Sequence, residues 1–397
     1  MTDFALTRAA FDMPAGVIYL DGNSLGAMPR AAAARVEHTI RAEWGERLIR
    51  AWNEAGWMAQ PPRVGDRIGR LIGAPAGSVV VGDTLSIKVY QALAAALAMR
   101  PDRRVVLSDS GNFPTDLYIA QGLLDTLGQG HELRVVAPEA VAQAITDDVA
   151  VTLLTEVDYR TGRLHDMAAL TARAHAAGAL AIWDLAHSAG AIPVDVAGAK
   201  ADFAVGCTYK YLNGGPGAPA FIYVSPEHVD AAQPALAGWM GHEKPFAFDP
   251  DYRPGAGIER MRVGTPPVIA LAALEAALDV WDGVDMADVR AASIRLSERF
   301  IDSVESACPT LVLASPRDPA ARGSQVSFRH PDAYAIMAAL IARGVIGDVR
   351  APDILRFGFT PLYLTEEEVV QGAVILAEIM RTEAWRDPRF QARQAVT

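Results

Sequence analysis

From about residue 65 the chain alternates short apolar runs with longer alanine-rich stretches whose apolar positions recur at helical spacing. The runs Ser78 to Val81, Val105 to Ser108, Leu133 to Ala137, Val149 to Val157, Ala179 to Asp184, Phe203 to Cys207 and Ala220 to Val224 are expected strands. Between them the pattern predicts helices over Ser86 to Met99, Asp116 to Leu127 and Met167 to Ala177, and a short helix before Val149. Such alternation builds a mostly parallel sheet covered by helices on both faces, with ligands at the carboxyl ends of its strands. After about Val268 the pattern changes. Helices near Ile269 to Trp281, Met286 to Ala307 and Asp332 to Arg343 mix with strand-like pieces at Leu311 to Ala314, Gln325 to Arg329, Val345 to Ile346 and Ile354 to Phe357. Thr365 and Glu368 form a capping box ahead of a last helix, Val369 to Arg381. The expected class is α/β: an N-terminal segment of residues 1–50, a large α/β domain over 51–268, and a smaller α+β domain over 269–397.

Composition narrows the partners. A chain of 397 residues with a net charge of −11 lacks the basic surface that a nucleic acid needs. Two cysteines, Cys207 and Cys308, cannot build a disulfide framework or a cysteine metal site, which favours a reducing compartment. The N-terminus has no basic-then-apolar leader pattern. The longest apolar stretch, Val268 to Trp281, is interrupted by Glu275 and Asp279 and is too short to span a bilayer. A cytoplasmic protein that binds neither membrane nor metal is expected.

The candidate chemistry gathers at two strand ends. Lys210 follows the run Phe203 to Cys207 and enters a glycine-rich turn. Asp184 closes the apolar run before it, with His187 three residues on. A buried carboxylate needs a cationic partner. An amine, a carboxylate and an imidazole at adjacent strand ends suit a cofactor that is an aldehyde on a pyridine ring. Lys210 forms the Schiff base, Asp184 pairs with the protonated ring nitrogen, and His187 lies near the ring. That cofactor is pyridoxal phosphate. For Asp184 a structural salt bridge is the alternative.

Other candidates are weaker one by one. Leu85 and Ser86 open a helix whose N–H groups suit a phosphate, or merely an N-cap. Phe113, Thr115 and Asp116 occupy the next strand-to-helix junction, where Phe113 would stack on a ring and the other two would cap the helix or touch the cofactor. Thr155 ends its strand within reach of a ring oxygen. Tyr209 offers a donor to phosphate or an acid, with packing as the alternative. Glycine-flanked loops carry Trp239 and Thr265 and would reach a neighbour's site in a dimer. Arg356 is a lone cation in an apolar strand, and its fork matches a carboxylate, unless it forms a structural ion pair.

These blocks carry a resemblance. Tyr19 to Gly26, Trp44 to Glu46 with Trp52, Phe113 to Asp116, Tyr159 to Gly162, Trp183 to His187, Tyr209 to Asn213 and Arg356 to Tyr363 together resemble kynureninase, a fold-type-I pyridoxal-phosphate enzyme of the class V aminotransferase superfamily. The resemblance implies a transferase-like fold with Lys210 carrying the cofactor, Asp184 on the ring nitrogen and Phe113 stacked on the ring. It sets Thr155 and His187 on the hydroxyl side. Leu85, Ser86, Tyr209, Trp239 and Thr265 would surround the phosphate, the last two from the other subunit of a homodimer with shared sites. Arg356 would hold the α-carboxylate of an amino-acid substrate, Tyr209 would act as acid and base, and Trp52, Asn23 and Ser24 would line an aryl pocket. The implied reaction is hydrolysis of L-kynurenine, with its 3-hydroxy form a possible second substrate, to the aromatic amine and L-alanine. Lys88 departs from the family pattern, which has asparagine there. A cysteine desulfurase or selenocysteine lyase, or a class V aminotransferase, shares the Asp…Lys arrangement. The first two need an accessible nucleophilic cysteine, which neither Cys207 nor Cys308 resembles.

Overall fold

The computed structural model describes residues 1–392; the last five residues of the expected C-terminal domain lie outside the described residues. The strands in chain order are β1 (Ile18–Tyr19), β2 (Val79–Val81), β3 (Val105–Asp109), β4 (Glu132–Val136), β5 (Val149–Thr155), β6 (Leu180–Asp184), β7 (Phe203–Gly206), β8 (Phe221–Val224), β9 (Val312–Leu313), β10 (Gln325–Arg329), β11 (Val345–Ile346), β12 (Asp348–Arg350) and β13 (Ile354–Gly358). The large sheet has the order β2-β8-β7-β6-β5-β3-β4. Strands β7, β6, β5, β3 and β4 are mutually parallel, and β8 runs against both its neighbours.

Every residue of β5, β6, β7 and β8 is buried, as expected of strands covered on both faces. The period-2 geometry sends Ile182 and Trp183 to opposite apolar layers, and likewise Leu153 and Leu154. Helices Leu85–Ala98 and Pro114–Leu127 cover one face through residues such as Leu93, Ala96, Ala120 and Leu123. Helices Gln60–Leu71, Met167–Ala176 and Val268–Leu278 cover the other through Val64, Ile68, Ala174, Leu271 and Leu274. Trp183 is fully buried, and its indole N–H is satisfied by the Thr171 hydroxyl at 2.9 Å.

The C-terminal part carries an antiparallel sheet, β12-β13-β10-β9, packed with helices Met286–Ala307, Ala333–Ile341 and Glu366–Thr382. The N-terminal residues bind to it: β1 pairs in parallel with β11, the Thr7 hydroxyl donates to the Leu362 carbonyl, and Arg8 bridges Glu368. The sequence pattern did not single out Asp348–Arg350 as a strand; β13 supplies its partner. The helices before residue 60 are short and lack long apolar stripes. Among the described residues no helix is long and apolar enough to cross a membrane.

The capping box at Thr365 is formed in both directions: the hydroxyl accepts from the Glu368 N–H at 3.2 Å, and the Glu368 carboxylate accepts from the Thr365 N–H at 2.9 Å. Replacing Thr365 with alanine is expected to lower the unfolding free energy by about 1 kcal/mol, measured by urea denaturation. An unchanged midpoint would show that packing alone holds this helix start.

Candidate active site

The parallel register of the large sheet places Thr155, Asp184 and Val205 side by side at the carboxyl ends of β5, β6 and β7. Asp184 is buried, and its Oδ1 accepts from the Ala186 N–H at 2.8 Å. Burial pushes this carboxyl up to about 6, against the pull of the nearby Lys210 ammonium. Lys210 lies in the loop after β7, with Nζ 2.9 Å from His187 Nε2. Burial, reinforced by the charge of Lys210, holds His187 well below its ordinary range, so the imidazole is neutral. Its Nδ1 has no partner among the described residues. Lys210 Nζ stands over the half-exposed Phe113 ring, 5.9 Å from its centre.

Phe113 precedes helix Pro114–Leu127 with no side-chain cap; Pro114 has no N–H and the Asp116 N–H donates to the Phe113 carbonyl at 3.0 Å, so the open N–H at this start is that of Thr115. Asp116, in the first turn, is buried with neither carboxylate oxygen partnered among the described residues. Burial and then the Asp184 charge raise it well above the carboxylate range. Helix Leu85–Ala98 likewise begins at Leu85 and Ser86 behind Thr84, again with no side-chain cap. Thr155 is buried, with its hydroxyl only weakly occupied by the Val157 carbonyl at 3.3 Å. The Tyr209 ring lies 5.8 Å from Lys210 Nζ, and burial holds its phenol above its ordinary range, so it carries a proton.

These residues fit pyridoxal phosphate. A buried acid lacks a full set of partners, a neutral imidazole has an open nitrogen, two helix starts offer uncapped N–H groups, and the amine stands off Phe113. The Phe113 ring is half-exposed beside that amine, which leaves its face open to a flat ring.

Arg356 on β13 sits apart from this group in sequence but joins it in space. Its guanidinium is locked on Asp348, the residue directly across the strand pair, with Nε to Oδ1 at 2.7 Å and Nη2 to Oδ2 at 2.5 Å. Nη2 also donates to Ser24 Oγ at 2.8 Å, and Nη1 to the Tyr159 carbonyl at 2.6 Å. Ser24, expected beside an aryl ring, is therefore committed to Arg356 and Asp348. Asn23 is buried against Gly358, its amide unpartnered among the described residues. Three expected residues do not meet Lys210 within the chain. Trp52 packs edge-on against Trp57 at 5.6 Å, Trp239 packs edge-on against Phe246 at 5.7 Å, and Thr265 lines a narrow cleft with Asp83 and Lys88. Lys88 is buried and turned to Gln91 Oε1 (2.9 Å), the Met261 carbonyl (3.3 Å) and Asp83 (3.4 Å). Burial draws its ammonium down to about 8.

Residues 289–376 match the family described as the kynureninase C-terminal domain. The chain is also 54% identical to a kynureninase of Pseudomonas fluorescens, an alignment that covers 98% of this chain and 95% of that one. The chain belongs to the kynureninase family.

Solved structures similar to this chain share its fold at much lower identity. A cysteine desulfurase of Thermococcus onnurineus is 19% identical with a TM-score of 0.81, over 96% of this chain and 99% of that one. A mutant of C-DES with glycine covalently linked to its PLP cofactor is 18% identical with a TM-score of 0.80, over 95% and 100%. The kynureninase family and the desulfurases therefore share the α/β transferase-like architecture. The cysteines separate them: both are buried here, and burial raises the Cys308 thiol to about 11 and Cys207 above its usual range. The sequence pattern did not single out Asp348, Arg350 or Asp21. The spacing Asp348-Val349-Arg350 places both charges on one strand face, and that face is the one opposite Arg356.

In the cofactor-free chain the Asp184 carboxyl titrates near 6, above the ordinary value near 3.9 of an unfolded chain. The folded state then binds the extra proton between these limits. Its contribution to stability is full below about pH 4 and is lost as pH rises through 6. Asp184→Asn removes that loss. The cofactor-free variant is expected to exceed the parent by on the order of 1–3 kcal/mol at pH 8, with the gap closing toward pH 4. Denaturation curves that stay parallel across this range would contradict the burial of the charge.

Proposed function

We propose that this chain cleaves L-kynurenine by hydrolysis to anthranilate and L-alanine, with pyridoxal phosphate as cofactor and Lys210 as the residue that carries it. The observation that supports this reading most directly is the meeting of Lys210, Asp184, His187 and Phe113 beyond the carboxyl ends of the central strands in a kynureninase-family chain. When bound, pyridoxal phosphate supplies an electron sink that lets the Cα–H bond and then the Cβ–Cγ bond of the substrate break.

The chain's own groups do the rest. As a carboxylate, Asp184 would accept a hydrogen bond from the protonated ring nitrogen and so keep that ring cationic, and the opposite charge would offset the cost of burying this carboxylate. Lys210 Nζ removes the proton from the substrate's α-carbon. His187, neutral and 2.9 Å away, accepts a hydrogen bond from that amine and orients it. Tyr209, still protonated, donates to the γ-carbonyl oxygen as water adds there. Phe113 would hold one face of the ring, the N–H groups at Leu85 and Ser86 would hold the phosphate, Thr155 would lie on the hydroxyl side of the ring, and Thr115 and Asp116 would stand at the neighbouring helix start. Arg356 holds the α-carboxylate, with Ser24 beside it.

The protein acts as a homodimer in the cytoplasm. An open apolar cleft of about 690 Å³, lined by Val36, Trp44, Trp57, Pro216, Pro267 and Ile269, adjoins the Lys210 loop. Trp44, Leu48 and Ile49 are exposed nearby. A second copy covers such a face, and its Trp239 and Thr265 loops then complete the neighbouring site. Two buried, unpaired cysteines suit the reducing interior of a cell.

Turnover followed by fluorescence of the aromatic amine, on L-kynurenine and its 3-hydroxy form, tests the assignment. Lys210→Ala is expected to lose activity by roughly 10³-fold or more together with its Schiff-base absorbance band. Cys308→Ser is expected to stay within about twofold of the parent, as its buried thiol takes no part. Sulfide release from cysteine that depends on Cys308 would replace kynurenine cleavage with a desulfurase reaction.

A further inference from the structure

Arg356 has five N–H groups, and four are already used. Nε and one Nη2–H hold Asp348, the other Nη2–H holds Ser24, and one Nη1–H holds the Tyr159 carbonyl. One Nη1–H remains. Arg356 by itself cannot clasp both oxygens of a carboxylate without surrendering Asp348.

A second arginine stands at the same place. Arg350 shares both acceptors of Arg356: its Nη2 lies 2.8 Å from Asp348 Oδ2 and 3.2 Å from Ser24 Oγ. Its side chain is 30% exposed, whereas Arg356 and Asp348 are almost wholly buried. Beyond these bonds and Nη1 to the Val349 carbonyl at 2.8 Å, Nε and one Nη1–H have no protein partner among the described residues. The strand register explains the arrangement. Asp348 and Arg350 are two apart on β12 and share a face, and Arg356 is directly opposite Asp348. The cluster adjoins the Lys210 site: Arg356 donates to the carbonyl of Tyr159, whose ring packs edge-on on Phe113 at 5.1 Å, and Lys210 Nζ stands 5.9 Å from the centre of that same ring. Two guanidiniums around one carboxylate leave a net charge of +1, the complement of a single α-carboxylate.

We propose that Arg350 is a second substrate-binding residue: it and the free Nη1–H of Arg356 each take one oxygen of the α-carboxylate, while Asp348 is the positioning residue that holds the two guanidiniums together. The proposal rests on the reading above that Arg356 faces this carboxylate. It makes specificity for an amino acid over the corresponding amine a property of the pair.

The test compares the parent holoenzyme with Arg350→Gln, Arg350→Lys, Asp348→Asn and Arg356→Gln. Two measurements are made on each: KM and kcat for L-kynurenine, and the dissociation constant of the carboxylate-free amine of the same skeleton, read from the cofactor absorbance. Arg350→Gln is expected to raise KM by roughly ten- to hundredfold, the usual weight of one charge-assisted bond. Its kcat should change less than threefold and its affinity for the carboxylate-free amine should be unaltered. Arg350→Lys should recover part of the loss, and Asp348→Asn should raise KM at least as much as Arg350→Gln. An unchanged KM in Arg350→Gln overturns the proposal. So does an equal weakening toward the carboxylate-free amine, because that marks a structural role. If Arg350→Gln discriminates and Arg356→Gln does not, the role assigned to Arg356 fails while that of Arg350 stands; the reverse result removes Arg350 alone. Thermal midpoints of all variants separate misfolding from altered binding, and should Asp348→Asn fail to fold, the half-exposed Arg350 variants decide.

Discussion

A carboxylate walled in by apolar strands is stable only opposite positive charge, and Asp184 occupies that position at the end of β6. Its register partners, Thr155 and Val205, are buried with it, and the residue before it, Trp183, is fully buried. The backbone N–H of Ala186 and the ammonium of Lys210 offset only part of this desolvation. The chain thus holds a standing demand for a cation at the mouth of the sheet. A pyridinium meets it, and the same burial that raises Asp184 also keeps His187 neutral. One physical condition, exclusion of water from three strand ends, sets the protonation states of the whole site.

Local chemistry explains what the sequence made legible. Strands β5 to β8 stood out because burial on both faces demands uninterrupted apolar runs, and Asp184 and Lys210 stood out because they end or follow such runs. The starts at Leu85 and Phe113 were visible as strand-to-helix junctions, where a plain cap was the favoured reading; neither start carries a side-chain cap, and Phe113 faces Lys210. Arg356 was visible as an isolated cation, but its partner was not. Asp348 faces it only through a cross-strand register, and such pairings are not encoded by spacing along one strand. Within one chain Trp52 packs on Trp57, Trp239 packs on Phe246, and Thr265 lines the cleft with Asp83 and Lys88; Trp239 and Thr265 were the two residues expected to act from a second subunit.

The two charged groups of the site follow opposite designs. Around Lys210 the charges are few, buried and incompletely partnered, which leaves them responsive to whatever binds. Around Arg356 they are many and almost fully hydrogen-bonded, which fixes geometry before any ligand arrives. Asp21, pushed up to about 8 by burial and by Asp348, belongs to the second cluster and adds no net charge near neutral pH.

The stretch from Leu20 to Gly26 ties these two clusters together. The Leu20 carbonyl accepts from the Gly358 N–H at 2.7 Å, and the Gly26 N–H donates to the Tyr209 carbonyl, also at 2.7 Å. At Gly26 a side chain would collide with the backbone of Lys210. This stretch precedes β11 and β13, which anchor it, by more than three hundred residues of chain. Its contacts are therefore among the most remote in the molecule, and loop-closure entropy places their formation late in folding. A nascent chain can complete its large sheet well before Leu20 to Gly26 docks, so the surroundings of Lys210 become final only once β11 and β13 are in place.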